Sequence, residues 1–127
     1  MKINEITRVL EQWAPLSNAE DFDNVGLLVG NPSADCAKAL VTLDTTEAVV
    51  EEAIREGCEL IISFHPIIFS GLKKITGKNY VERVVLKAIK NDVAIYAIHT
   101  APDNHKFGVS HQMGIVLGLK KQQVLIP

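Results

Sequence analysis

Twice along this chain a segment with apolar residues at helical spacing runs directly into a short, almost continuously apolar segment, and few folds accept that order. Val49, Val50, Ala53 and Ile54 form the first helical stripe, Gly57 suits the left-handed position that ends a helix, and Leu60-Ile61-Ile62-Ser63 follows. Val81, Val84, Val85, Ala88 and Ile89 form the second stripe, Asn91-Asp92 closes it, and Val93-Ala94-Ile95-Tyr96-Ala97-Ile98 follows. A strand apolar along its whole length is covered on both faces, and a helix between two such strands makes a right-handed crossover. The pattern therefore predicts an α/β domain with a mostly parallel sheet and helices on both faces.

The flanking segments fit this frame. Ile3, Ile6, Val9, Leu10 and Trp13 recur at helical spacing before Pro15, which predicts an amphipathic helix over 3–14 with Trp13 in the core. A strand is expected over 25–29 between the polar Asp21-Phe22-Asp23-Asn24 and the turn Gly30-Asn31-Pro32, and another over 38–44. Asp44, Thr45 and Thr46 offer capping chemistry for the helix that follows, and Asn79 with Glu82 resembles a capping box for the next. A last helix is expected over 109–117, stopped by Gly118, and one more strand over 124–126.

Composition sets limits on function. A chain of 127 residues fits one domain, and 13 basic against 15 acidic residues give a net charge of −2, leaving no basic excess to neutralise phosphates; nucleic-acid binding is not expected. No apolar run approaches a membrane span, the first residues do not read as a signal peptide, and a cytoplasmic location is expected. Cys36 and Cys58 have neither paired spacing nor a Cys-x-x-Cys motif, so buried free thiols are the reading.

In open α/β sheets, ligands collect beyond the carboxyl ends of the strands. There the chain delivers Asp44, His65, and His99 with Asp103 four residues on. Pro66 bars a helix start and holds His65 on a strand-to-loop corner, while His99-Thr100-Ala101-Pro102-Asp103 offers imidazole and carboxylate in one turn. A mixed nitrogen and oxygen set suits a divalent zinc, manganese or iron ion. Each residue alone also has a plain reading, as a hydrogen-bonded core histidine or a turn-forming carboxylate. Asp44 reads equally as a site acid and as a helix cap. His105 and His111 read as solvated surface. The Gly-Leu-Lys-Lys-Ile-Thr-Gly-Lys-Asn segment over 71–79 fails as a phosphate loop, having five residues between its glycines and Asn79 where Ser or Thr should bind magnesium. Lys73, Lys74 and Lys78 read as a solvated loop, or as a basic rim for an anionic substrate.

Five ordered motifs carry a resemblance that spans nearly the whole chain: Asp23-Asn24-Val25-Gly26-Leu27, Leu43-Asp44-Thr45-Thr46, His65-Pro66-Ile67-Ile68-Phe69, His99-Thr100-x-x-Asp103, and Gly118-Leu119. Together they resemble the NIF three-like family, the GTP cyclohydrolase 1 type 2 homologs. The resemblance implies a cytoplasmic dinuclear-metal protein in which this chain, a single α/β domain over 1–127, is the N-terminal half of a larger two-lobed protein. It further implies a homo-oligomer, usually a ring-shaped hexamer, with metals bound between the halves. His65 and Asp103 would hold the first metal, with His99 as a further ligand or as a group bonded behind the ligands. The family's second half adds a His-x-x-x-Glu motif that this chain does not contain, and the family has two adjacent histidines where this chain has Phe64-His65. Two functions follow as expectations: a metal-dependent hydrolase of small molecules, acting by analogy on the imidazole ring of GTP, and a non-catalytic metal-binding or assembly module.

Overall fold

The computed structural model describes residues 1–123, so the strand expected over 124–126 lies outside the described residues. Four strands form one sheet: β1 (Gly26–Val29), β2 (Ala39–Thr42), β3 (Leu60–Ser63) and β4 (Ala94–Ala97), in the order β1-β4-β3-β2. β2, β3 and β4 are parallel, and β1 closes the far edge antiparallel to β4. The sheet is thus mostly parallel, as its apolar runs imply, and every residue of β4 is buried.

Helices cover both faces. On one side α2 (Glu47–Glu56) and α3 (Tyr80–Lys90) bury Val50, Ala53, Val84, Val85 and Ala88 against Ile61 and Ile95. On the other side α1 (Ile3–Trp13) packs Ile3, with Ile6 and Leu10, on Leu60, Ala94 and Tyr96. Alternation along β3 and β4 sends neighbouring residues into opposite cores, and each fully buried Val or Ile contributes about 1.5–3 kcal/mol.

The helix ends follow their local chemistry. The Thr46 side chain caps α2 by accepting from Val49 N–H, and Gly57 ends it in the left-handed region at φ 66°. Asn79 caps α3 by accepting from Glu82 N–H at 2.9 Å. The Glu82 carboxylate turns to the preceding loop and accepts from the Thr76 and Lys78 N–H groups and the Thr76 hydroxyl, bonds that hold it below the usual carboxylate range. Glycine is required at position 30, where φ is +109° and a Cβ would lie 2.6 Å from that of Ala94.

Several apolar positions, Val9 of the α1 stripe among them, are more exposed than their spacing suggests. Trp13 is 46% exposed, because α1 ends there and the buried position passes to Ala14. The indole instead lies beside the His105 ring, with centroids 6.1 Å apart. Ile54 and Ile89 stay exposed because the buried faces of α2 and α3 are narrower than their apolar stripes. At the outer edge of the sheet, Val41 and Leu43 are also exposed, on the α1 side but beyond that helix. Cys36 and Cys58 are buried free thiols. Among the described residues no helix is long and apolar enough to cross a membrane.

Candidate metal centre

The register of the sheet brings the candidate residues together. Thr42, Ser63 and Ala97 are laterally aligned on β2, β3 and β4, and two residues beyond each lie Asp44, His65 and His99. The alignment persists past the strand ends: His65 N–H donates to Leu43 C=O at 3.0 Å, and His99 N–H donates to Phe64 C=O at 2.9 Å. The two imidazoles end with ring centroids 5.6 Å apart, tilted at 72°.

Each imidazole is held by its own carboxylate. His65 Nδ1 lies 2.8 Å from Asp44 Oδ1, and His99 Nδ1 lies 2.8 Å from Asp23 Oδ1. A carboxylate only accepts, so each pairing places a proton on Nδ1 and leaves Nε2 as the free lone pair. This decides the alternatives for Asp44: Thr46 caps α2, and Asp44 orients His65.

The two pairs differ in setting. His65 and Asp44 are open to solvent, with side chains 46% and 59% exposed, whereas the Asp23 side chain has no exposed surface. Asp23 also accepts from Asn24 N–H at 2.7 Å, Thr100 N–H at 3.1 Å and the Thr100 hydroxyl at 2.5 Å. Burial pushes its carboxyl up, but the bonds from Thr100, His99 and Asn24 outweigh that and hold it below the usual carboxylate value. Asn24 completes the clamp by donating to Ile68 C=O at 2.5 Å. His99 itself sits at φ 28°, a strained conformation for a residue with a Cβ, fixed by these bonds and by the turn that follows.

That turn is α4 (Thr100–Asp103), a single helical turn with Ala101 and Pro102 buried, and it places Asp103 within electrostatic reach of His99 and Asp23. Burial raises the Asp103 carboxyl above its usual range, which outweighs the opposing influence of the neighbouring His99, and Asp23 pushes it up further. α5 (Val109–Val116) follows after Gly108, where a Cβ would sit 1.7 Å from Pro102 C=O, so the approach of α5 to α4 requires glycine. His105 and His111 stand apart in a cluster with Phe107.

Phe64 packs edge-on against both imidazoles, 5.2 Å from His65 and 5.7 Å from His99 between ring centroids. Among the described residues no group of three or more His, Cys, Asp and Glu side chains is arranged to hold a metal ion. The free Nε2 positions suit a divalent ion as part of a ligand set, not as a closed one. Beside His65 opens a cavity of about 290 Å³ lined by Asp44, Thr45, Thr46, His65, Pro66, Ile67 and Tyr80. A larger, more open depression lies between α2 and α3, away from the histidines, where Arg83 is already paired with Glu47 at 2.9 Å.

Sequence reasoning left the role of Asp23 unread. It lies 76 residues from His99, and its one signal is the Asp23-Asn24 motif.

Comparison with known proteins accounts for these motifs. The chain matches the Duf34/NIF3 (NGG1p interacting factor 3) family over residues 1–127. It is 37% identical over 125 residues to a GTP cyclohydrolase 1 type 2 homolog of Clostridium acetobutylicum, covering 98% of this chain and 47% of that protein. To the protein of the same name from Halalkalibacterium halodurans it is 43% identical over 122 residues, covering 96% of this chain and 33% of that one. The chain thus spans half or less of the length of these curated relatives. Among solved structures, a Bacillus cereus protein related to NIF3 superposes with a TM-score of 0.93 at 39% identity, over 100% of this chain and 35% of that chain. Reduced HcgD from Methanocaldococcus jannaschii superposes with a TM-score of 0.91 at 28% identity, over 99% of this chain and 50% of that chain. In sequence and in fold, the chain belongs to the Duf34/NIF3 family.

Proposed function

We propose that this chain supplies one wall of a divalent-metal site, with His65 and Asp103 as ligands and His99 beside them, in a metal-dependent hydrolase of small molecules. The observation that carries the reading is the doubled His–carboxylate arrangement. Two imidazoles on adjacent strand ends each spend Nδ1 on a carboxylate, which fixes the tautomer and raises the basicity of the nitrogen left free. Asp103 supports the same reading, because a partly buried carboxyl raised above its usual range is stabilised by a cation. Zinc, manganese and iron all accept such a set, and a bound ion of this kind supplies Lewis acidity that activates water near neutral pH. Groups from outside this chain, from a second lobe or from other subunits of a cytoplasmic homo-oligomer, complete the ligand set. The name GTP cyclohydrolase 1 type 2 homolog borne by the relatives suggests a purine nucleotide as substrate.

A second reading, a metal-binding or assembly module without turnover, is favoured by one observation: among the described residues no group of three or more ligating side chains is assembled. Titration of the chain with Mn²⁺ or Zn²⁺, followed by calorimetry and elemental analysis, tests the site. His65→Ala should abolish measurable binding and Asp44→Asn should weaken it roughly 10-fold or more. Equal metal content in wild type and His65→Ala would overturn the assignment. Turnover of GTP by the longer protein, lost in the same variant, would separate enzyme from module.

A further inference from the structure

The cavity beside His65 contains a group that the metal reading does not use. Thr45 is 3% exposed, it lines the cavity, and its hydroxyl is the one buried side-chain oxygen among the described residues that lacks a hydrogen-bond partner. A buried hydroxyl left unpaired is costly, and native proteins rarely leave one so unless a bound molecule supplies the partner. Thr45 directly precedes Thr46, the N-cap of the ten-residue α2. The first N–H groups of a helix have no intrahelical partners, Thr46 satisfies only that of Val49, and the dipole favours negative charge at this end.

The remaining walls fit a small molecule bearing such a charge. Ile67 and Pro66 contribute apolar lining, and Tyr80 and His65 line it as well. At about 290 Å³ the cavity lies at the lower limit of the roughly 300–1,000 Å³ typical of small-molecule sites. The Asp44 carboxylate also lines it and opposes an anion, but its Oδ1 is engaged by His65 Nδ1 at 2.8 Å.

We propose that this cavity binds a phosphoryl group of the substrate, held by the Thr45 hydroxyl and the N-terminal end of α2, so that the rest of the molecule reaches toward His65. A tetrahedral phosphoryl group offers three oxygens to donors that converge from a hydroxyl and a helix end, more than a planar carboxylate can. The inference rests on the metal reading for the role of the pocket, but not for binding itself.

The test is therefore made on the full chain with metal removed by EDTA. Inorganic phosphate is titrated while backbone amide resonances are followed by NMR. Saturable shifts are expected at residues 45–49. Thr45→Val, which keeps the shape and removes the hydroxyl, should weaken binding roughly tenfold, while Thr45→Ser should bind nearly as wild type. The proposal is overturned by an absence of saturable shifts or by shifts centred on Lys73, Lys74 and Lys78. Unchanged affinity in Thr45→Val would also overturn it, since a buried water would then be the only partner of the hydroxyl. Acetate binding as tightly as phosphate would overturn the phosphoryl assignment. A parallel Mn²⁺ titration of the same samples separates the two readings. Phosphate bound without metal affinity removes the metal site alone, and metal bound without phosphate affinity removes this pocket alone.

Discussion

Asp23→Asn is the substitution that most directly tests how the site is built. The change keeps side-chain volume but converts one carboxylate oxygen into a donor. On the side of Oδ2 the structure presents Thr100 N–H at 3.1 Å and the Thr100 hydroxyl at 2.5 Å. The hydroxyl can rotate to accept from the new amide, but the N–H cannot, so one buried donor is left unpaired at about 1–3 kcal/mol. On the side of Oδ1 the bonds to His99 Nδ1 and Asn24 N–H survive without charge assistance, a further loss of about 1 kcal/mol. Relief of the carboxylate's own burial returns part of this, leaving about 2–3 kcal/mol, a large fraction of the roughly 5–15 kcal/mol of a typical domain. Urea unfolding followed by far-UV circular dichroism should show the midpoint fall with an unchanged slope. The pH dependence gives a second readout. The folded-state pKa of Asp23 lies below its ordinary value, so its stabilisation is complete above the usual carboxylate range and is lost as pH falls through the lowered value. The gap between wild type and variant should accordingly be widest near neutrality and narrow in acid. A loss under about 0.5 kcal/mol, or a gap that does not narrow in acid, would refute the account of Asp23 as a buried, ionised anchor for His99 and Thr100.

Asp103 should behave in the opposite sense. Its folded-state pKa is raised, chiefly by burial, so the ionised group opposes folding, and stability falls as pH rises from the unfolded value through the folded one. Asp103→Asn should therefore raise the neutral-pH stability of the metal-free chain while lowering its affinity for Mn²⁺; a variant less stable than wild type would contradict this. Gly30→Ala should cost about 3 kcal/mol in urea unfolding, combining a left-handed backbone with a Cβ 2.6 Å from that of Ala94, and a loss under about 1 kcal/mol would show that the two strands can move apart.

Much of the fold was legible because local chemistry and tertiary packing agree. β3 occupies residues Leu60–Ser63 as read, since a short, mostly apolar run bounded by Gly57 before it and the Pro66 corner after it has no competing period. Gly57 and Asn79 terminate their helices where expected, because left-handed φ and an N-cap oxygen are properties of single residues. Trp13 was misread because helical spacing says which face a residue lies on, not how far the partner surface extends. The short α4 escaped notice because His99-Thr100-Ala101-Pro102-Asp103 carries no periodicity. At the site, the strand ends pointed to His65, His99 and Asp44, and the parallel register explains why the residues just beyond those ends become neighbours. The carboxylate partners were not legible from spacing: Asp44 and His65 are 21 residues apart, Asp23 and His99 are 76 apart, and only the folded sheet makes them neighbours.

The outer edge of β2 has a consequence for how the chain behaves in solution. β2 is the last strand in the sheet, so among the described residues it has a ladder partner on one side only, and Val41 stands 78% exposed beside it. A flat, apolar strand with an open row of N–H and C=O groups is a template for another strand of the same kind. Folding of the chain by itself is then a race between closing its own sheet and pairing with a neighbour, and the outcome depends on concentration. Refolding yield should fall with protein concentration, and Val41→Lys should restore it while His65 and His99, carried by β3 and β4, keep their carboxylate partners.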